Sequence, residues 1–126
     1  MKNKSLNYMT LMIFAPVLIL AGLLGFVLSD GITSNAAPYN IFHIIFGAIG
    51  LAFVLTKRED LIRGFNIGFG LIDLYQAAAS FLHWFPEQHF QWKTADDYLH
   101  IIIGGALVLI GWSYTNSGRW QSASFF

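Results

Sequence analysis

Two histidines occupy matching positions in this chain. Asn40-Ile-Phe-His43-Ile-Ile-Phe-Gly47 aligns with Asp97-Tyr-Leu-His100-Ile-Ile-Ile-Gly104 at an offset of 57 residues. Imidazole nitrogen is an axial ligand for haem iron, and a single histidine suits the magnesium of chlorophyll. His43 and His100, at equal depth in two helices, could therefore hold a tetrapyrrole between them or bind a divalent metal. The plainer chemistry is structural. Asn40 and Asp97, three residues earlier, would cap the helix starts by accepting from exposed backbone N–H groups. Asp97 would also place negative charge at the positive end of a helix. On this reading the histidines are first-turn groups that hydrogen-bond across helices, and it is the reading we prefer.

A second constellation lies between them. Asn66, Asp73, Gln76, Ser80 and His83 fall within about 100° of one another at helical periodicity, with Gly70 and Ala77 at the border of the stripe. Asp73 is nine residues past Gly64, about 13 Å along a helix at 1.5 Å per residue. A carboxylate at that depth of a bilayer costs about 2.5–3.5 kcal/mol, so it must face the interior, meet a donor or carry a proton. The stripe reads as a polar membrane network that fixes helix packing, or as a proton or ion route through an oligomer. The segment from Trp84 to Asp97 adds His89, Glu87 and Asp96. Their spacing matches no metal motif, and its aromatic residues suit an interface with lipid or a partner. No phosphate-binding glycine loop, nucleophile elbow or His-Glu-x-x-His is present. The expectation is a non-enzymatic protein with no catalytic residues and no resident metal.

The composition dictates what must position these groups. The 126 residues are 56% hydrophobic and only 11% charged, against about 25% charged in soluble domains. Seven basic residues balance seven acidic ones, which gives no electrostatic reason to bind nucleic acid. There is no cysteine, which excludes disulfides, thiolate metal sites and covalent haem attachment. Four segments approach the roughly 20 apolar residues that cross a bilayer: about 9–28, 39–56, 65–85 and 98–114. The chain 1–126 then forms one all-α transmembrane domain, a four-helix bundle in the lipid bilayer.

Its orientation follows from the basic residues of short loops, which stay on the cytoplasmic side. Lys2, Lys4, Lys57, Arg58, Arg63 and Arg119 fall on one side and only Lys93 on the other. Both termini are expected inside. Tyr39, Trp84, Trp92 and Tyr98 would mark the outer interface, and Tyr8, Trp112, Tyr114 and Trp120 the inner one. The first span has a basic start, but Asn35 and Pro38 make a poor cleavage site after Ala37, so it is expected to remain.

The matching histidine segments belong to a larger repeat. Gly22, Gly25 and Phe26 align with Ala77, Ser80 and Phe81 at an offset of 55. The unit is a helical hairpin used twice in parallel, with a symmetry axis along the membrane normal. Gly47 and Gly50 on one span, and Gly104 and Gly111 on another, lie on faces where helix backbones can approach closely. The second copy departs from the first by placing Leu107 opposite Gly50.

The doubled Asn/Asp-x-x-His-x-x-x-Gly signature, with a Gly-rich hairpin before each copy, resembles an uncharacterised bacterial family of small four-span membrane proteins defined by a domain of unknown function. The resemblance covers nearly the whole chain. It implies the four-span fold and a bacterial inner membrane, and it implies no activity. With very short loops and Gly-lined faces, the expected role is an accessory subunit of a larger membrane complex, respiratory or photosynthetic. The membrane is then a bacterial inner membrane or a thylakoid-type one, and the partners are other membrane protein subunits.

Overall fold

The computed structural model describes residues 5–28, 31 and 33–117, with the side chains of 113–117 excepted. Lys2, Lys4, Arg119 and Trp120 lie outside the described residues, as does the side chain of Tyr114. The described chain is all-helical: α1 (Leu6–Val27), α2 (Ala37–Thr56), α3 (Glu59–Leu82), the single turn α4 (Glu87–Phe90) and α5 (Thr94–Ser117). Three stretches, Leu6–Val27, Ala37–Thr56 and Thr94–Trp112, are long and apolar enough to cross a membrane. The 24-residue α3 is as long as α5 but carries Glu59, Asp60, Arg63 and Asp73, which lower its hydropathy.

The helices begin earlier than apolar content alone suggests, and the reason is local. Glu59 and Asp60 occupy the first turn of α3, where carboxylates meet the positive end of the helix. The gap between the expected spans 39–56 and 65–85 therefore shrinks to Lys57 and Arg58, with Lys57 turning the chain at φ 58°. At its far end α3 stops at Leu82 rather than 85, because His83 adopts a left-handed conformation (φ 59°) as its C-cap. The helix α1 starts at Leu6 because the Ser5 hydroxyl caps it, accepting from the Tyr8 N–H at 2.9 Å. It runs through Pro16 without a break.

The caps expected at Asn40 and Asp97 are corrected. Asn40 sits inside α2, which begins at Ala37 with Pro38 in its first turn. Pro38 has the right φ for a helix start and no N–H to leave unsatisfied. The Asn40 amide instead donates back to the Asn35 carbonyl at 3.0 Å. Asp97 lies a full turn into α5, and the residue that reaches back over that helix start is Asp96, accepting from the Lys93 N–H at 2.8 Å.

Packing is strongest within two antiparallel pairs, α1 with α2 and α3 with α5. Glycine makes both close approaches possible. A Cβ at Gly47 would stand 2.8 Å from the Ala15 carbonyl oxygen, and one at Gly104 would stand 2.8 Å from the Gly70 carbonyl oxygen. Between the pairs lies a core of Leu11, Ala15, Leu18, Val54, Ile62, Phe65, Phe69 and Leu107. The pairs otherwise touch lightly. One polar tie joins them at the end where α1 and α3 begin: the Asn66 amide donates to Asn7 Oδ1 at 2.9 Å. Outward faces are apolar throughout, with Leu20, Ile45, Leu71 and Ile102 all exposed.

A second tie at that end is titratable. The Ser5 hydroxyl donates to the Glu59 carboxyl. Partial burial raises the carboxyl above its ordinary 4.5, an effect the Ser5 hydrogen bond opposes. A raised carboxyl favours folding while protonated and loses that contribution as pH climbs from about the unfolded value through the folded one. Wild type is therefore expected to lose melting temperature relative to Glu59→Gln, which stays neutral, as pH rises above the ordinary carboxyl value of 4.5. Parallel melting curves in detergent would show this, and two curves that stay equidistant across the range would refute it.

A polar cavity between the two helix pairs

The site is built around Asp96. Its position in the first turn of α5, 1% exposed, lets one carboxylate collect three donors. Oδ2 accepts from the backbone N–H of Ser34 at 2.7 Å and of Lys93 at 2.8 Å. Oδ1 accepts from the Tyr39 hydroxyl at 3.0 Å. Asp96 thus ties together the connection before α2, the first turn of α2 and the start of α5. A buried carboxylate is tolerated when its lone pairs are filled in this way. The Ser34 hydroxyl donates to the Phe90 carbonyl at 2.6 Å and closes the same corner.

Tyr39 has one proton, and Asp96 receives it. The 2.8 Å contact between the Tyr39 hydroxyl and His100 Nε2 must then use the proton on nitrogen. Neutral His100 is fixed as the Nε2–H tautomer, which leaves Nδ1 as a bare acceptor. That atom is buried with no partner. The Tyr39 ring also packs on His43, with centroids 4.3 Å apart.

A second chain of hydrogen bonds approaches from α3. Trp92 Nε1 donates to Gln76 Oε1 at 3.1 Å, and Gln76 Nε2 donates to Asp73 Oδ1 at 3.3 Å. Asp73 is 4% exposed, and among the described residues it has no cationic partner. A lone buried carboxylate with one long hydrogen bond is an uncomfortable arrangement.

Both chains end on one cavity of about 310 Å³, at the small end of the roughly 300–1,000 Å³ of ligand pockets. Its polar lining is Thr33, Tyr39, His43, Asp73, Asp96 and His100. Phe14 and Phe69 form aromatic walls, while Val17, Ala21 and Leu99 bring exposed aliphatic rims from α1 and α5. These two helices touch little, so the mouth opens sideways between them. A neighbouring hollow of about 250 Å³ between α1 and α2 shares Ala21, Thr33 and His43 with it. Toward the end where α1 and α3 begin, the cavity is blind. Phe65, Phe69, Leu11, Ala15 and Leu107 fill that half of the bundle.

The residues singled out from sequence divide on this geometry. His43, His100 and Asp73 line one cavity, and Gln76 supports Asp73. Ser80 is only half-buried, without a hydrogen bond to that network. His83 is exposed beyond the end of α3 and faces Glu87 at 3.2 Å, so it leaves the stripe because its helix ends first. Among the described residues no three His, Asp or Glu side chains gather as metal ligands. Joint ligation of one tetrapyrrole metal by His43 and His100 would require His100 Nε2, which Tyr39 occupies, or Nδ1, which is sealed off.

Tyr39 and Asp96 are both buried at the centre of this site, which neither an interfacial tyrosine nor a loop aspartate would be. Tyr39 was expected at the outer interface, yet it is 3% exposed and points inward. The one available signal is spacing: Tyr39 and Asp96 are 57 residues apart, the same offset that relates His43 to His100, and each stands one residue before a copy of the doubled motif.

No family model matches the chain, and no curated protein or solved structure does.

Proposed function

We propose that the chain is a non-enzymatic, four-span protein of a bacterial inner membrane or thylakoid-type membrane. In this reading it is an accessory subunit of a larger membrane complex, with a ligand-sized cavity open toward the outer leaflet. The observation that carries the reading is the blindness of that cavity. A proton or ion route through Asp73 needs polar groups on both sides, and the apolar core beyond Phe69 supplies none until Asn66 and Asn7. An enzyme needs a nucleophile or an acid–base pair at an accessible centre, whereas the Tyr39–Asp96–His100 group is spent on its own hydrogen bonds. Holding a ligand and holding shape are what such a site does well.

Four spans and two parallel hairpins suit the packing. The α3 helix runs alongside most of α5, from Arg63, which donates to the Gly111 carbonyl, past Gly70 on Gly104 to Gln76, which accepts from Trp92 just before α5. A helix that matches a spanning helix along its length crosses the same thickness. The hydrogen bond between Tyr39 and Asp96 joins equivalent positions of the two repeats, as expected near a symmetry axis along the membrane normal. An ordered apolar ledge supports a partner: Phe81, Leu82, Trp84 and Phe85 are all exposed, with the Tyr75 hydroxyl holding the Phe85 carbonyl at 2.7 Å.

Because the native chain has no cysteine, single cysteines report topology cleanly. With intact cells and an impermeant thiol reagent, Gln88→Cys should label and Lys57→Cys should not. Labelling of both or of neither would overturn the four-span arrangement. For the subunit role, the protein extracted in mild detergent should migrate on a native gel well above its own mass, and Trp84→Ala with Phe85→Ala should release it. A lone monomer with an activity of its own would refute that role.

A further inference from the structure

The cavity contains one need that the described chain does not meet. Asp96 is saturated by three donors, but Asp73 has only the 3.3 Å hydrogen bond from Gln76 and no cation. No lysine or arginine lines the cavity, which carries two carboxylates, two histidines and the rings of Tyr39, Phe14 and Phe69. An anionic headgroup would be repelled there. A neutral one would leave Asp73 uncompensated. A positive charge placed against Asp73 would be stabilised by the carboxylate in a low-dielectric site, and the aromatic side chains of Phe14, Phe69 and Tyr39 line the same cavity, where a ring presented to the cation would add cation–π attraction. The mouth between α1 and α5 is rimmed by Val17, Ala21 and Leu99, so the occupant must cross an apolar threshold.

We propose that this cavity is a binding site for a lipophilic organic cation, entered sideways from the membrane, with Asp73 as counter-ion and the aromatic walls as its cradle. The proposal rests on the membrane setting argued above and is independent of any partner subunit.

The test uses the purified full chain in mild detergent, with tetraphenylphosphonium as the probe and triphenylphosphine oxide as an uncharged counterpart, read by equilibrium dialysis. Wild type should bind the cation saturably, one per chain, and the uncharged compound at least tenfold more weakly. Asp73→Asn, nearly the same shape without the charge, should weaken cation binding at least tenfold. Leu99→Trp should also abolish it by filling the mouth. Leu99 is exposed on α5, so this variant keeps the fold and decides the matter if Asp73→Asn does not. Equal binding of the charged and uncharged probes would overturn the proposal in favour of a neutral aromatic ligand. No saturable binding to wild type would overturn it by showing that Asp73 is content as a neutral acid. Either failure leaves the thiol-labelling and native-gel results untouched, so loss of the cation site and loss of the membrane-subunit reading are told apart.

Discussion

Replacing Gly104 by valine should separate α3 from α5 and unfold the second helix pair, whereas Gly105→Ala next to it should leave stability unchanged or slightly higher. A Cβ at Gly104 would stand 2.8 Å from the Gly70 carbonyl oxygen and 2.9 Å from the Asp73 Cβ. Neither can rotate away, since one is backbone and the other is the root of a side chain. Overpacking in a tight interface costs about 1–3 kcal/mol, and backbone contact puts this case at or above the top of that range. A Cβ at Gly105 meets nothing within 4 Å, and alanine is favoured over glycine in a helix by about 1 kcal/mol. Thermal unfolding of the two variants in the same detergent gives the comparison. Equal melting temperatures would mean that the helices are not in contact at Gly104.

The second large effect concerns two adjacent aspartates. Asp96→Ala should destabilise the protein by about 3 kcal/mol or more, since it strands three donors and each buried unsatisfied group costs about 1–3 kcal/mol. Asp97→Ala should cost much less. Asp97 is also largely buried, yet its Oδ1 has no hydrogen-bond partner, so little is lost with it. Tyr39→Phe should fall between, because it removes the donor to one oxygen of Asp96 and the acceptor of His100 Nε2. Melting temperatures of the three variants rank these effects. A ranking with Asp97→Ala as the most damaging would show that the network is not organised around Asp96.

That contrast shows what was legible in the sequence. The all-helical class and the membrane-length apolar runs follow from composition and run length. So does the face shared by Asn66, Asp73 and Gln76, because helical periodicity alone sets it. The repeat pointed to His43, His100 and the close-packed glycines 47 and 104. It did not show which of two neighbouring aspartates carries the hydrogen bonds, since Asp96 and Asp97 differ only by 100° of rotation about α5. That rotation is fixed by the packing of α5 against α3. Tyr39 was misjudged for a related reason. Aromatic residues at span ends prefer the interface on average, and only a buried acceptor in another helix draws this one inward. His83 was assigned to the polar stripe by periodicity, which carries no information about where a helix stops.

The light contact between the two helix pairs bears on how the molecule comes into being. Each pair has its own glycine-lined seam, so in the proposed four-span arrangement each could form as soon as its second helix is inserted, while the rest of the chain is still being synthesised. Membrane helices pack after insertion, and here that step would happen in two rounds. First each half closes on itself, then one half meets the other. Asp96 comes from the second half and two of its three donors, Tyr39 and Ser34, from the first. Asp73 and His43 likewise face one another only across the halves. The cavity is therefore absent from a nascent chain and arrives last, as the signature of a finished molecule. A half-made protein could be inserted and helical and still have nowhere to hold a guest.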